Sequence, residues 1–367
     1  MAHSPTPIWR TLLPGQRTEV RVYDVTTGED TLVYASETEL LEAPNWHPNG
    51  EYLVLNYEGG LVRVPLSGGA PEPIDTGGRG DLNNDHVLSP DGRTVYVTAK
   101  DGHLYSLPIS GGVPARITRE NDGLVKHYLH GISADGTLLS IVGLSFPHGP
   151  NTPDFARFRV AIVRIADGAL IPLSSAARPE DGAEFGPDGA LYFNAEPEGS
   201  APGHAQLHRI GATDIQATLG EVKDPTSPLS IVEILGESAF PFRTAAEHIE
   251  DCAPPALYGE RSPETVATLA DGSGTEHGLP VATRLTDDER VNWFPHPSPD
   301  GAHLLWLSYP AGTLGHPENL DVELRLGTPD AAEPRTLVRL YGGQGTTNVN
   351  GWAPDSTRFA YVAYPIG

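Results

Sequence analysis

The chain has 367 residues, of which 38% are hydrophobic and 20% are charged, so it carries enough apolar material for a sizeable core. Its 24 basic residues against 48 acidic ones give a net charge of −24, which disfavours binding to nucleic acid or to an anionic membrane surface. A single cysteine, Cys252, excludes an internal disulfide and a thiolate metal cluster. Together the 41 glycines and 35 prolines make up more than a fifth of the chain and indicate many turns between short strands.

A turn phrase of the type Ser-Pro-Asp-Gly, followed by an alternating apolar strand, occurs six times along the chain. The copies lie at 46–50, 89–92, 133–136, 186–189, 298–301 and 352–356. Their Asp or Asn residues stand at positions 49, 91, 135, 188, 300 and 355. All but one of the intervals are about 40 to 55 residues long, which is typical of one four-stranded propeller blade each.

Each copy has a physical reason to form a hairpin, because proline presets φ for a turn and Asp-Gly tolerates positive φ. Strands such as 95–97, 191–193 and 304–306 follow directly. After Trp352 only two strands remain, and the segments 19–23 and 31–34 offer the two that are missing. We therefore predict an all-β, six-bladed β-propeller of four-stranded blades, formed by residues 1–367 as one domain and closed by strands from both ends.

The interval from Asp188 to Asp300 is the irregular one, since it is about twice as long as the others. No turn phrase lies within it, so the sequence favours an insertion at about 218–280, between the third and fourth strands of one blade. A short helix is predicted within the insertion at 244–250. Its function could be that of a lid or a homodimer contact, and a passive excursion is the alternative.

The repeat phrase resembles the WD40-like propeller repeats of the TolB family over nearly the whole chain. The segments 292–301 and 342–346 further resemble a cytoplasmic TolB-related subgroup, which is also similar, more distantly, to oligogalacturonate lyases. This resemblance predicts the fold strongly. It predicts function weakly, because propellers host many activities.

Hairpin order places many polar side chains on one face, at the start of the innermost strands and in the loops around them. Five residues before the turn Asp lie His86, His130 and Asn350, while His296 and Asn45 lie four before theirs. The neighbouring loops add Arg79, Asn84, Asp85, Lys126, His316, Gln344 and Asn348. Because innermost strands line the channel, we expect these groups to converge on a ligand site. The alternative is structural, with histidines that fix loops and amides that cap them.

A divalent metal such as Mn²⁺ or Zn²⁺ is compatible with imidazole and amide ligands drawn from different blades. Oligogalacturonate lyases hold a cation with histidines and a glutamine, so the resemblance implies that His296 and Gln344 are metal ligands. The last blade carries Asn348 and Asn350 where further histidines would be expected.

The predicted function is binding of a small, polar, carbohydrate-like ligand, with lyase or isomerase chemistry by proton abstraction. His86 or His130 would be the base, and Arg79 or Lys126 would pair with a substrate carboxylate. The alternative is a non-catalytic scaffold for protein interaction. No nucleic acid or membrane partner is expected. The absence of a signal-peptide pattern and of an apolar run long enough to span a membrane predicts a cytoplasmic location.

Overall fold

The computed structural model describes residues 9–120, 122–146, 157–175, 178–221 and 279–367. The described chain forms a six-bladed β-propeller of antiparallel sheets, which confirms the predicted fold class. The innermost strands of neighbouring blades contact one another around the axis. No helix among the described residues is long and apolar enough to cross a membrane.

The first two strands of the chain, β1 (Thr18–Asp24) and β2 (Asp30–Ser36), belong to the last blade. Five complete four-stranded blades follow. Blade 1 has β3 (Glu42–Trp46), β4 (Tyr52–Tyr57), β5 (Gly60–Pro65) and β6 (Glu72–Ile74). Blade 2 has β7 (Leu82–Leu88), β8 (Thr94–Ala99), β9 (Leu104–Pro108) and β10 (Ala115–Arg116). Blade 3 has β11 (Lys126–Ile132), β12 (Leu138–Ser145), β13 (Arg157–Arg164) and β14 (Ala169–Pro172).

Blade 4 has β15 (Glu180–Phe185), β16 (Leu191–Ala195), β17 (Gln206–Ile210) and β18 (Thr283–Arg284). Blade 5 has β19 (Val291–Pro297), β20 (Leu304–Tyr309), β21 (Glu318–Gly327) and β22 (Arg335–Gly343). Blade 6 has the order β2-β1-β23, in which β23 is Arg358–Ala363. A single bridge from Trp352 to Phe359 adds the innermost segment of that blade. The predicted closure by strands from both ends is therefore confirmed.

The core lies between the blades rather than at the axis. One apolar cluster joins blades 5 and 6 through Trp293, Leu305 and Phe359, and another joins blades 6 and 1 through Val362 and Leu53. Four further clusters fill the other interfaces in the same way. Alternation along each strand produces this pattern, because every second side chain faces the next blade.

The innermost strand of every complete blade carries a β-bulge near its middle. In β15, for example, Asp181 and Glu184 are three residues apart, whereas their partners Asn194 and Tyr192 are two apart. A bulge inserts an extra residue, bends the strand and turns side chains in new directions. Each innermost strand therefore changes course at the same height in the channel.

The predicted insertion falls in blade 4, where β17 pairs with β18 and residues 211–282 lie between them. It begins with a helix that the sequence analysis missed, α1 (Ala212–Glu221), whose Ile215 packs on the core between blades 3 and 4. The helix predicted at 244–250 lies outside the described residues. So does most of 218–280, and a lid or dimer function for it stays a prediction.

Phe359 is a sharp test of ring closure, because it is fully buried in β23 and contacts Tyr23 of β1 and Trp352. We expect Phe359→Ala to lower the free energy of unfolding by about 3–5 kcal/mol in chemical denaturation, the usual cost of removing a buried phenyl ring. The control Leu32→Ala lies in the same blade but is 48% exposed, and it should change little. Equal effects of the two variants would contradict the closure.

Candidate functional site

The bulges define a set of polar residues that we call the channel ring: Asn45, His86, Glu184, His296 and Asn350. The first four directly follow the bulges of β3, β7, β15 and β19, and Asn350 lies in the innermost segment of blade 6. In blade 3 the equivalent position is Gly131. A Cβ there would lie 2.6 Å from Ser140 Oγ and 3.0 Å from Glu184 Cα, so glycine makes room for the Glu184 side chain.

The channel ring joins blades to one another. Asn45 Nδ2 donates to the carbonyl of Asn350 at 2.7 Å, and Asn350 Nδ2 donates to the carbonyl of Pro297 at 3.0 Å. Asn350 Nδ2 also donates to Glu184. These bonds connect blades 1, 4, 5 and 6 through the buried Asn45, the half-buried Asn350 and the buried carboxylate of Glu184.

The remaining interfaces have equivalent bonds. His86 Nε2 donates to the Val54 carbonyl of blade 1 at 3.1 Å. The Leu129 amide donates to Thr98 Oγ1 at 3.1 Å, and Ser140 Oγ donates to the Ala183 carbonyl at 2.8 Å. Together with the contact of His296 with Glu184 between blades 4 and 5, these hydrogen bonds link every pair of neighbouring blades near the channel and fix the positions of the site residues.

His296 lies at the centre of the ring, but it does not have the environment of a metal ligand. Its Nδ1 contacts Glu184 Oε2 at 2.5 Å and its Nε2 contacts the Thr347 carbonyl at 2.7 Å. Both ring nitrogens are occupied by contacts to protein oxygens, so neither points to an open position for a cation. Gln344 Oε1 already accepts from His316 Nδ1 and from Asn348 Nδ2.

The predicted metal pair therefore does not fit the donor atoms present. In the part of the chain that the structure describes, no group of three or more His, Cys, Asp or Glu residues could hold a metal ion.

His86, one of the two predicted bases, is fully buried. Burial lowers its pKa to about 4, so the ring is neutral near pH 7. Its Nε2 proton is used in the bond to Val54, and Nδ1 has no hydrogen-bond partner. This environment favours the structural alternative for His86, while the catalytic assignment stays a prediction.

The second group of polar residues comes from the bulges of β11 and β15 and from loops beside β21 and β22, and we call it the mouth cluster: His130, Asp181, His316, Gln344 and Asn348. His130 Nε2 lies 2.8 Å from Asp181 Oδ1, and His316 Nε2 lies 3.3 Å from Asp181 Oδ2. His316 Nδ1 donates to Gln344 Oε1 at 2.6 Å. Blades 3, 4, 5 and the start of blade 6 thus meet in one network.

Asp181 sets the charge state of this cluster. Burial alone would lower the pKa of His130, but the Asp181 carboxylate outweighs it and raises that pKa to about 9. Burial alone would raise the pKa of Asp181, but His130 and His316 outweigh it and hold that pKa well below its usual range. At neutral pH the cluster therefore contains a buried imidazolium beside a carboxylate.

Aromatic rings line one side of the mouth cluster. The His316 ring lies 4.6 Å from Trp293 and 5.1 Å from Phe294, edge to face, and His130 lies 6.1 Å from Phe294. Phe294 sits in the bulge of β19 with a φ of 53°, which is strained for a bulky residue. The bulge thus turns an aromatic side chain toward His130 and His316.

The other predicted residues have mixed outcomes. Asp85 is buried and interacts electrostatically with His130, and burial raises its pKa. Lys126 lies over the Tyr128 ring at 5.1 Å, and Asn84 is half-buried on β7.

Arg79 is different, because its guanidinium pairs with Asp81 at 2.7 Å and Asp101 at 2.8 Å. These two carboxylates neutralise it. This pairing weakens the case for Arg79 as the partner of a substrate carboxylate, and that assignment stays a prediction.

Three site residues were missed, namely Asp181, Glu184 and Arg10. Glu184 lies four residues before the turn residue Asp188, the same spacing as His296 before Asp300, so the repeat count could have found it. Arg10 precedes the first strand and carries no repeat signal. Its Nη1 bonds to Glu42 Oε1 at 3.1 Å and to the Gln344 carbonyl at 2.6 Å.

The charge pair in the mouth cluster predicts a specific titration. In an NMR titration, the His130 ring should lose its proton with a midpoint near pH 9. In Asp181→Asn the midpoint should fall, because the burial penalty is then opposed only by the weaker effects of the Asp85 carboxylate and the Asn348 backbone. The control Asp135→Asn, in an exposed turn, should leave it unchanged.

The same linkage has a consequence for stability. His130 is more basic in the folded state, so its contribution is fully present below its unfolded pKa of about 6.5 and is lost as pH rises through about 9. The difference in unfolding free energy between wild type and Asp181→Asn should therefore shrink over that window. A difference that is constant from pH 6.5 to 9.5 would contradict the ion pair.

Comparison with known proteins agrees with this architecture. No family model matches the chain. The uncharacterized protein Atu1656 of Agrobacterium fabrum is 30% identical over 354 residues, which is 95% of this chain and 92% of that protein. A TolB-like protein of Agrobacterium tumefaciens of known structure is 29% identical, covers 95% of this chain and 99% of its own, and has a TM-score of 0.70.

An oligogalacturonate lyase in complex with manganese is a more distant structural neighbour, at 13% identity and a TM-score of 0.47, covering 89% of this chain and 74% of its own. A likeness at that level says nothing about shared chemistry. The two Agrobacterium proteins are much more similar to this chain, in sequence identity and in coverage. The chain therefore belongs to the same family of TolB-like six-bladed propellers.

Proposed function

We propose that the mouth cluster binds a small, polyhydroxylated, carbohydrate-like ligand. The observation that carries the proposal is the pairing of partly exposed polar groups with aromatic rings. The side chains of Asp181 and His316 are 19% and 26% exposed, and His316 lies against Trp293 and Phe294. Ligand pockets typically combine aromatic walls with a few fixed polar groups.

Buried polar atoms without a partner support the same proposal. Trp293 Nε1 and Thr347 Oγ1 are buried and make no hydrogen bond within the structure. An unmade bond at a buried polar atom costs about 1–3 kcal/mol, which a hydroxyl-rich ligand or solvent would recover. Both residues lie next to the mouth cluster, since Thr347 precedes Asn348 and Trp293 contacts His316.

The protonation states favour binding over proton abstraction. A base must be free of its proton at the working pH, whereas His130 holds its proton up to about pH 9. A protonated His130 is suited to donate a hydrogen bond to a ligand oxygen. The lyase or isomerase reaction predicted from the sequence therefore has weaker support than a binding role, and no metal-dependent step follows from His296 and Gln344.

The Asp181–His316 contact positions both groups toward a ligand. Gln344 Oε1 holds His316 Nδ1 and so fixes the ring orientation. Asp181 is held ionised by its two imidazole neighbours and can accept hydrogen bonds from hydroxyls. Acceptor, donor and aromatic wall together suit a neutral polyol better than an apolar ligand.

The proposal predicts binding of a saccharide that depends on His316. Calorimetric titration with a panel of mono- and disaccharides should find a ligand whose Kd rises by ~10-fold or more in His316→Ala, a loss of about 1.4 kcal/mol. The control His303→Ala lies beside the turn at the opposite end of blade 5 and should bind like wild type.

No saccharide binding by wild type, or identical affinities in both variants, would contradict the proposal. In that case capture of a protein partner would become the better account of this face.

A further inference from the structure

Arg10 occupies an unusual position on the channel face. The residue lies before the first strand, yet its guanidinium reaches the start of β3 and the loop that carries the mouth cluster. Nη1 bonds to Glu42 Oε1 at 3.1 Å and to the Gln344 carbonyl at 2.6 Å. Gln344 belongs to the mouth cluster and its side chain orients His316, so Arg10 contacts the proposed ligand site directly.

Contacts of Arg10 itself and of residues before and after it in the sequence fix its position. Its guanidinium lies 4.4 Å above the ring of Tyr364, itself fully buried. Before it, the Trp9 ring lies under Lys100 Nζ at 3.9 Å. After it, the Gln16 side chain donates to the Tyr364 carbonyl at 3.0 Å. These contacts hold the segment across blades 1, 2 and 6.

One edge of the guanidinium has no partner. Both Nε and Nη2 are buried and make no hydrogen bond, although each carries a charged donor. In Arg63, Arg164 and Arg325, by contrast, only one buried nitrogen each makes no hydrogen bond. The Nε–Nη2 edge is a planar fork that matches the two oxygens of a carboxylate. A buried charged donor without an acceptor is costly, so an oxyanion at this edge would be strongly favoured.

We propose that the Nε–Nη2 edge of Arg10 binds a carboxylate group of the ligand, a role that rests on the proposed saccharide site. The ligand would then be an acidic polyol, with its hydroxyls at Asp181 and His316 and its carboxylate at Arg10. Binding requires a small shift of the Arg10 side chain, since both nitrogens are buried. The side chain is 16% exposed as a whole, so part of it already meets solvent.

Nearby acidic groups would repel an anion bound at Arg10, but their arrangement limits this repulsion. Glu42 is paired with Arg10 itself, and burial raises the pKa of Glu42. Glu318 and Asp85 also act on Glu42 through space. The pairing with Nη1 occupies the far side of the guanidinium and leaves the fork free.

The test compares D-glucuronate with D-glucuronamide, which have the same shape and differ in charge. Calorimetry should show that wild type binds glucuronate at least ~10-fold more tightly, the scale expected for a charge-assisted bidentate pair. Arg10→Gln should abolish that preference, and Arg10→Lys, which keeps the charge but not the fork, should retain only part of it. Arg79→Gln is the matched control, because its guanidinium is neutralised by two carboxylates. Thermal melting checks that each variant is folded.

A second readout separates this inference from the saccharide proposal. The Arg10 Nε–H resonance in a ¹⁵N–¹H spectrum should shift on titration with acetate, and inorganic phosphate should shift it less because its tetrahedral oxygens fit the planar fork poorly. If acetate shifts this resonance but neither sugar binds, Arg10 is a carboxylate site and the saccharide proposal fails. If sugars bind with no preference for glucuronate and acetate leaves the resonance unchanged, the Arg10 inference is overturned and the saccharide proposal stands.

Discussion

Hydrogen bonds between neighbouring blades, made by buried polar groups beside the channel, are the constraint on which the rest of this structure depends. Apolar packing between blades tolerates sliding, whereas a bond such as Asn45 to the Asn350 carbonyl fixes a register. Because each bond crosses an interface, the ring positions residues that are far apart in sequence. Glu184 and His296, separated by 112 residues, meet at 2.5 Å for this reason. The mouth cluster lies beside that ring, and the hydrogen bonds of the ring hold its residues in position.

Much of the architecture could be predicted from the turn phrases alone. Asp-Gly turns at regular spacing determine where blades begin, and the shortage of strands after Trp352 determines how the ring closes. The same spacing picked out His130, hairpin order picked out Asn348 and His316, and the structure brings all three into the mouth cluster. Glu184 could have been found in this way, had carboxylates been counted together with histidines and amides at that position.

Other parts of the site could not be predicted, for physical reasons. The backbone at the bulges has positive φ at Ala43 and Phe294, neither of which is a glycine. The residue types in the sequence therefore do not indicate where these bulges lie. The ion pair between Arg79 and Asp101 could not be foreseen, because Asp101 lies 22 residues further along the chain in another loop. His296 was assigned to a metal from the resemblance to oligogalacturonate lyases, yet hydrogen-bond contacts occupy both of its ring nitrogens in the structure. The charge of a side chain and the hydrogen bonds that it already makes depend on tertiary contacts. The repeat pattern in the sequence contains no information on either.

The last blade combines two strands that precede blade 1 with a strand that follows blade 5, and this has a consequence for biosynthesis. Arg10 contacts the Gln344 carbonyl, so the proposed pocket joins a residue translated before blade 1 to residues translated after the strands of blade 5. A nascent polypeptide can fold blades 1 to 5 in order, but it cannot form the pocket until the segment that contains Gln344 has been translated. Chains truncated before that segment would therefore not bind the ligand.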